Sequence, residues 1–160
     1  MIADLPAADY RRLLTADPAV IDIVEVSPGQ PTPVLAAYDD GPGHHHLRVW
    51  CPHCATWHVH GRGGPGAPPQ RGREGCAGDR VAHCTTANSP YRRSGYILDV
   101  IGPTSSAPRR RARKTPWCHS CRHHYSAALA RCSCGRHHRH HPLYPALAAV
   151  YAEILAGQQK

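Results

Sequence analysis

Apolar and polar positions along the chain change period several times, and each change marks an element. Tyr10, Leu13 and Leu14 share one face at helical spacing behind Asp4 and Pro6, so a short helix is expected from about Asp4 to Leu14. Residues 19–26 (AVIDIVEV) are rich in β-branched side chains and read as a strand, and the Pro and Gly of residues 27–33 (SPGQPTP) read as a turn. Residues 34–38 and 47–51 read as two further strands, joined through Asp39-Asp40-Gly41-Pro42-Gly43 as a hairpin. Extended segments are also expected from Thr56 to His60, Arg80 to Cys84 and Tyr96 to Ile101. Residues 61–79 hold seven Gly and three Pro, a composition that does not sustain regular structure. Pro103 to Pro116 reads as a linker. Leu147, Val150, Tyr151, Ile154 and Leu155 then return to helical spacing, which predicts a last helix from Tyr144 to about Ala156, stopped by Gly157.

Composition changes what these elements can do. Leu, Ile and Val make up 25 of 160 residues, Phe is absent and Met occurs once. That share lies below the ~20% at which a chain of high net charge is read as disordered, so an ordinary large aliphatic core is not expected. A second source of stability is needed, and 8 Cys and 14 His offer one. The opening MIADLPAADYRRLLTADP lacks the basic, apolar and small-residue order of a secretory leader, and no run reaches the ~18 apolar residues of a membrane span. The expectation is a cytoplasmic protein without a membrane segment, in which closely spaced Cys hold metal rather than form disulfides. Arg outnumbers Lys by 17 to 2, as GC-rich bacterial or phage codons favour.

The first ligand set is expected around Trp50-Cys51-Pro52-His53-Cys54, where two thiols two residues apart at a strand end can face one ion. Cys84 returns after a 29-residue excursion. Cys51, Cys54, His60 and Cys84 form the expected tetrahedron, with His58 and His83 as alternatives to His60 because His58 and His60 share a strand face. Cys76 reads as a free thiol, with a fourth ligand as the alternative.

The segments WCPHC, WHVHG, RVAHC and SPYRRSGYIL resemble those of small zinc-binding proteins of actinobacteria, especially streptomycetes, and of their phages and mobile elements. The resemblance covers roughly residues 47–100. It implies a zinc-binding scaffold of bacterial origin and no particular activity. Where that group carries His before the Arg of RVAHC, this chain has Asp79.

The second set is Cys118, Cys121, Cys132 and Cys134: C-x2-C, ten residues, then C-x-C. Two short Cys turns at that separation suit a ribbon or knuckle around one zinc, with Trp117 and Tyr125 covering it. Two zinc ions are therefore expected. A redox dithiol would want a βαβ setting, which the pattern lacks.

Charge is uneven. Residues 1–40 carry a net −5, residues 41–102 a net +4, and residues 103–141 a net +9 with no acid. Arg109, Arg110, Arg111, Arg113 and Lys114 precede the second Cys module, and Arg136 and Arg139 follow it within a His-rich tract, residues 137–141. Together with Arg92 and Arg93 these are the expected phosphate contacts to DNA or RNA. A protein partner could instead dock on the acidic N-terminal region or the last helix. No HExxH or deaminase pattern occurs, and His83 with Asn88 is the only pairing suggestive of a nuclease.

The expected architecture is a small, zinc-stapled α+β protein. Residues 1–102 form an antiparallel β unit around one zinc with a short N-terminal helix, residues 103–116 a basic linker, and residues 117–160 a zinc-ribbon-like module with a C-terminal helix.

Overall fold

Strand β2 (Gln30–Asp39) organises the molecule, because its apolar run from Pro31 to Tyr38 is almost wholly buried. In the computed structural model, which describes residues 2–42, 44, 46–61, 76–80, 83–129, 131, 132, 134 and 141–158, this strand has partners along both edges. On one edge it pairs antiparallel first with β1 (Val20–Ser27) and then, from Ala37, with β3 (His46–Cys51). On the other it runs parallel to β6 (Tyr96–Pro103), starting at Val34↔Ile97. Outer strands β4 (Thr56–Gly61) and β5 (Cys76–Arg80) add antiparallel to β3 and β6, giving the order β4-β3-β2-β6-β5.

The result is α+β and antiparallel except for that one parallel pair, which the expected all-antiparallel unit did not include. A parallel partner needs a long crossover. It is supplied by the chain between β2 and the short helix α2 (Tyr91–Ser94), which hands over to β6 at Gly95 with φ +67°. Two predicted boundaries also move. The turn of residues 27–33 shrinks to Pro28-Gly29, with Gly29 at φ +72°, and β2 begins at Gln30. Pro31 and Pro33 are tolerated because they precede Val34, where the β6 partner begins. The strand expected over Arg80–Cys84 is observed as Cys76–Arg80, leaving Cys84 beyond the sheet.

The pleat sorts side chains onto two faces. Leu35 and Ala37 of β2, Leu47, Val49 and Cys51 of β3, and Tyr96 and Leu98 of β6 enter one core with Tyr10, Leu13 and Leu14 of helix α1 (Ala7–Thr15). Helix α3 (Pro145–Gly157) joins the same core through Leu147, Tyr151 and Ile154 and packs on α1. The C-terminal helix thus completes the first unit, although its place in the chain groups it with the second Cys module. Tyrosine supplies the bulk that Phe would otherwise give. Tyr10, Tyr91 and Tyr96 are fully buried, and each hydroxyl has a partner: Tyr10 donates to the Pro90 carbonyl (2.8 Å), Tyr91 to Asp17 (2.8 Å), and Tyr96 meets His60 Nε2 (2.6 Å). Among the described residues no helix is long and apolar enough to cross a membrane.

Candidate metal centres

The CPHC segment is the turn between β3 and β4. Cys51 ends one strand, Thr56 begins the next, and Ala55 between them adopts φ +51°. This left-handed residue lets the chain fold back sharply, and the Cys54 N–H donates to Cys51 Sγ at 3.4 Å. Cys84 arrives from beyond β5, its Sγ 3.6 Å from that of Cys51 and hydrogen-bonded by Ser89 Oγ at 3.1 Å.

Cys51, His58 and Cys84 are all buried and bring one ligand atom each within 4.8 Å of the others. Cys54 adjoins them. Hydrogen bonds from Cys51 and Cys84, and then from His58, hold its thiol far below the ordinary range against the opposing effect of burial. Burial and hydrogen bonding to Cys54 and Cys84 push the Cys51 thiol up.

His60, the expected fourth ligand, is not in this group. Strand register explains why: Thr56 lies opposite Cys51, His58 opposite Val49, and His60 opposite Leu47. Both histidines face the core, but His60 is two residues, or about 7 Å, farther from the turn than His58. It bonds Tyr96 and stacks on the exposed His83 at 4.8 Å between ring centroids. His58 Nδ1, by contrast, is the one buried side-chain nitrogen or oxygen among the described residues with no hydrogen-bond partner. The His58 ring also offers a nitrogen within 4.8 Å of the Cys51 and Cys84 sulfurs and hydrogen-bonds the Cys54 thiol, and a buried imidazole nitrogen left without a partner is costly.

The second centre repeats the turn. Cys118 closes strand β7 (Trp117–Cys118), strand β8 (His123–His124) follows, and Arg122, immediately after Cys121, adopts φ +53°. Ala55 and Arg122 are the two non-glycine residues of positive φ among those described, and each follows the second Cys of a C-x2-C. All four sulfurs of Cys118, Cys121, Cys132 and Cys134 lie within 4.8 Å of one another. Cys118 is 3.8 Å from Cys134 and Cys121 is 3.7 Å from Cys132. A tetrahedral ion with metal–sulfur bonds of about 2.3 Å spaces its sulfurs about 3.8 Å apart. The separations in both centres match that edge, and the seven cysteines of the two centres are free. Hydrogen bonding to Cys134, and then burial, pushes the Cys121 thiol up to about 12. Tyr125 is fully buried against this centre, whereas Trp117, expected to cover it as well, is exposed and stacks on His124 at 4.9 Å.

A residue between the first two ligands joins the centres. His53 is fully buried, with Nδ1 2.7 Å from Ser126 Oγ and Nε2 2.9 Å from Asp17 Oδ2. Asp17 also accepts from Tyr91 and from the Ala19 N–H, and the His53 carbonyl accepts from the Ala127 N–H at 2.9 Å. The Ser, His and Asp side chains have the makings of a catalytic set, but all three are buried and Asp17 is shared with Tyr91. They form a clasp tying the N-terminal helix, the first turn and the second module together. The sequence pattern assigns His53 no role beyond its place inside the CPHC turn. The available signal was a polar residue inside a Cys turn, with an Asp just beyond the end of α1.

The basic segment does not hang free. Residues 107–116 cross the sheet face opposite the core: the Arg113 N–H donates to the Ala55 carbonyl at 2.9 Å, and Arg110 donates to Tyr144 Oη at 2.8 Å while lying 5.6 Å from the Trp50 ring centre. Arg109, Arg110 and Arg111 line an open cleft of about 470 Å³ with Arg48 and Trp57. The adjoining carboxylate, Asp40, is held below the usual range by hydrogen bonds from Arg48 (2.7 Å) and Thr104 (2.7 Å). Arg113 and Lys114 are exposed beyond the cleft.

Arg92 is exposed away from these contacts, and Arg93 is committed to the fold, donating to the Leu5 carbonyl and lying 4.5 Å from the Tyr10 ring centre. Arg136, Arg139, most of the His tract and the Gly/Pro stretch 62–75 lie outside the described residues. Compared with known proteins, the chain matches no family model, no curated protein and no solved structure.

Proposed function

We propose that this is a non-catalytic, nucleic-acid-binding protein whose two Cys-rich centres hold structural zinc. The zinc reading rests on the sulfur spacings, on donor sets of three Cys with one His and of four Cys, and on the unpaired His58 Nδ1. Cys51, Cys54, His58 and Cys84 would hold one ion and Cys118, Cys121, Cys132 and Cys134 the other. Bound there, zinc neutralises thiolates and ties chain segments together. Closed sets of this kind keep no position for a substrate water.

Nucleic-acid binding rests on one observation: Arg109, Arg110 and Arg111 are laid along a cleft beside Arg48, and Asp40, the carboxylate bonded to Arg48, is already paired. Guanidinium groups held in that way suit phosphate oxygens. Asn88, the nuclease candidate with His83, supports the non-catalytic reading, because its Oδ1 accepts from the Ser126 N–H (2.6 Å) and its Nδ2 donates to the Arg131 carbonyl (3.2 Å).

Metal analysis of untagged protein is expected to give two equivalents of zinc. Fluorescence anisotropy with labelled oligonucleotides is expected to show affinity falling steeply with salt, with a log–log slope of roughly −0.9 per phosphate contact. Arg109→Gln with Arg111→Gln should reduce the slope by about two. A slope near zero, or one unchanged in the double variant, would overturn the reading.

A further inference from the structure

The sheet face away from the metal centres carries its own cluster. On β3 and β4 the pleat that turns Cys51 and His58 inward turns Trp50 and Trp57 outward, directly opposite one another in the register. Tyr38 of β2 joins them, and the rings meet edge-to-face at 5.5 Å (Trp50–Trp57) and 6.0 Å (Tyr38–Trp57). Trp50 is buried, whereas Trp57 is half-exposed and forms the wall shared by the 470 Å³ arginine cleft and a second, apolar recess of about 180 Å³ beside Tyr38 and Ile101. Arg110 borders both and is fixed by Tyr144 and Trp50, so its guanidinium is positioned in advance. Arg109 and Arg111 are exposed and pair with no carboxylate among the described residues.

We propose that this cleft takes an unpaired nucleobase against Trp57 with its phosphate on the arginines, so that the preferred ligand is single-stranded nucleic acid. The inference deepens the nucleic-acid reading above and rests on it. Three observations select the occupant. The cleft volume falls within the range of small-molecule sites, roughly 300–1,000 Å³, and a folded partner's surface would not enter it. Its charge complements a polyanion. An aromatic wall beside that charge is superfluous for phosphate alone but suits a base, whose π-face stacks on Trp whatever its sequence. In a duplex the bases are already stacked and paired, and withdrawing one costs a few kcal/mol, which a single strand does not lose.

The test uses the full zinc-loaded protein and three probes of equal length: an oligothymidylate, the corresponding duplex, and an abasic strand with the same phosphates. Oligothymidylate is expected to bind tightest. Trp57→Ala should weaken it between about fivefold and about 150-fold while changing duplex and abasic binding less than twofold. Trp57→Phe should restore most of the loss. Zinc content of two equivalents in each variant separates a lost contact from a lost fold, and should Trp57→Ala not fold, the ranking of the three probes on the unaltered protein and the Trp57→Phe variant decides. Equal affinity for all three probes, or a Trp57→Ala loss shared equally by the abasic strand, overturns the base pocket and leaves phosphate binding standing. Failure of every probe to bind overturns both.

Discussion

Cys51, Cys54 and Cys84 sit inside the principal core, among side chains from three strands and three helices, with His58 buried beside them. Cys118, Cys121, Cys132 and Cys134 share the same turn geometry but form, with Tyr125, a small cluster of their own among the described residues, and Cys134 is exposed. Equivalent ligand geometry therefore stands in two different energetic settings. At the first centre, loss of a ligand leaves buried thiols and an unpaired imidazole within the packing that supports the whole sheet. At the second, the same loss is felt by a pair of two-residue strands.

The sharpest way to break this comparison is to remove one ligand from each centre. A structural zinc site contributes on the order of 10 kcal/mol to folding, comparable with a small domain's whole stability of about 5–15 kcal/mol. Cys84→Ser is accordingly expected to unfold the sheet, with loss of the cooperative thermal transition in circular dichroism. Cys134→Ser is expected to release one equivalent of zinc, keep the other, and retain that transition. With unaltered protein, a chromogenic chelator should draw zinc in two phases, the faster from the centre holding Cys134. Equal sensitivity at both centres would mean that the buried and exposed settings do not matter.

The next largest effect probes the clasp that couples the centres. Asp17 accepts hydrogen bonds from His53, Tyr91 and the Ala19 N–H while almost fully buried. Asp17→Ala leaves three donors without an acceptor and should cost about 3–5 kcal/mol, read as a lower urea midpoint at unchanged slope. Because the network reaches Ser126, the faster zinc phase should also accelerate. An unchanged rate would show that the clasp stabilises the first unit alone.

How legible this was depended on whether the information was local. Helix α1, helix α3 and strands β1, β3, β4 and β6 follow from periodicity within ten or so residues, and the second centre from spacing alone, since its four ligands lie within seventeen residues. The choice between His58 and His60 turned on pairing register, which periodicity cannot give because both lie on one face. The parallel β2–β6 pair, the entry of α3 into the first core and the clasp of Asp17 with His53 and Ser126 all join distant segments. Composition misled in one respect. Counting aliphatic residues alone undervalued tyrosines that bury their rings while their hydroxyls find partners.

The smallest expected effect sharpens the comparison at a single backbone position. Ala55 and Arg122 occupy equivalent left-handed positions, which cost an L-residue roughly 1–2 kcal/mol relative to the right-handed region. Glycine relieves that cost but loses about 0.5–1 kcal/mol through the greater freedom of the unfolded chain. Arg122 is exposed, so Arg122→Gly should gain roughly 0.5–1 kcal/mol, visible as slower zinc loss from the second centre. Ala55 is fully buried, and removing its methyl gives up about 0.8 kcal/mol of burial, so Ala55→Gly should come out close to neutral. Identical gains at both positions would mean that the first turn is no more tightly packed than the second, against the difference in burial that separates the two centres.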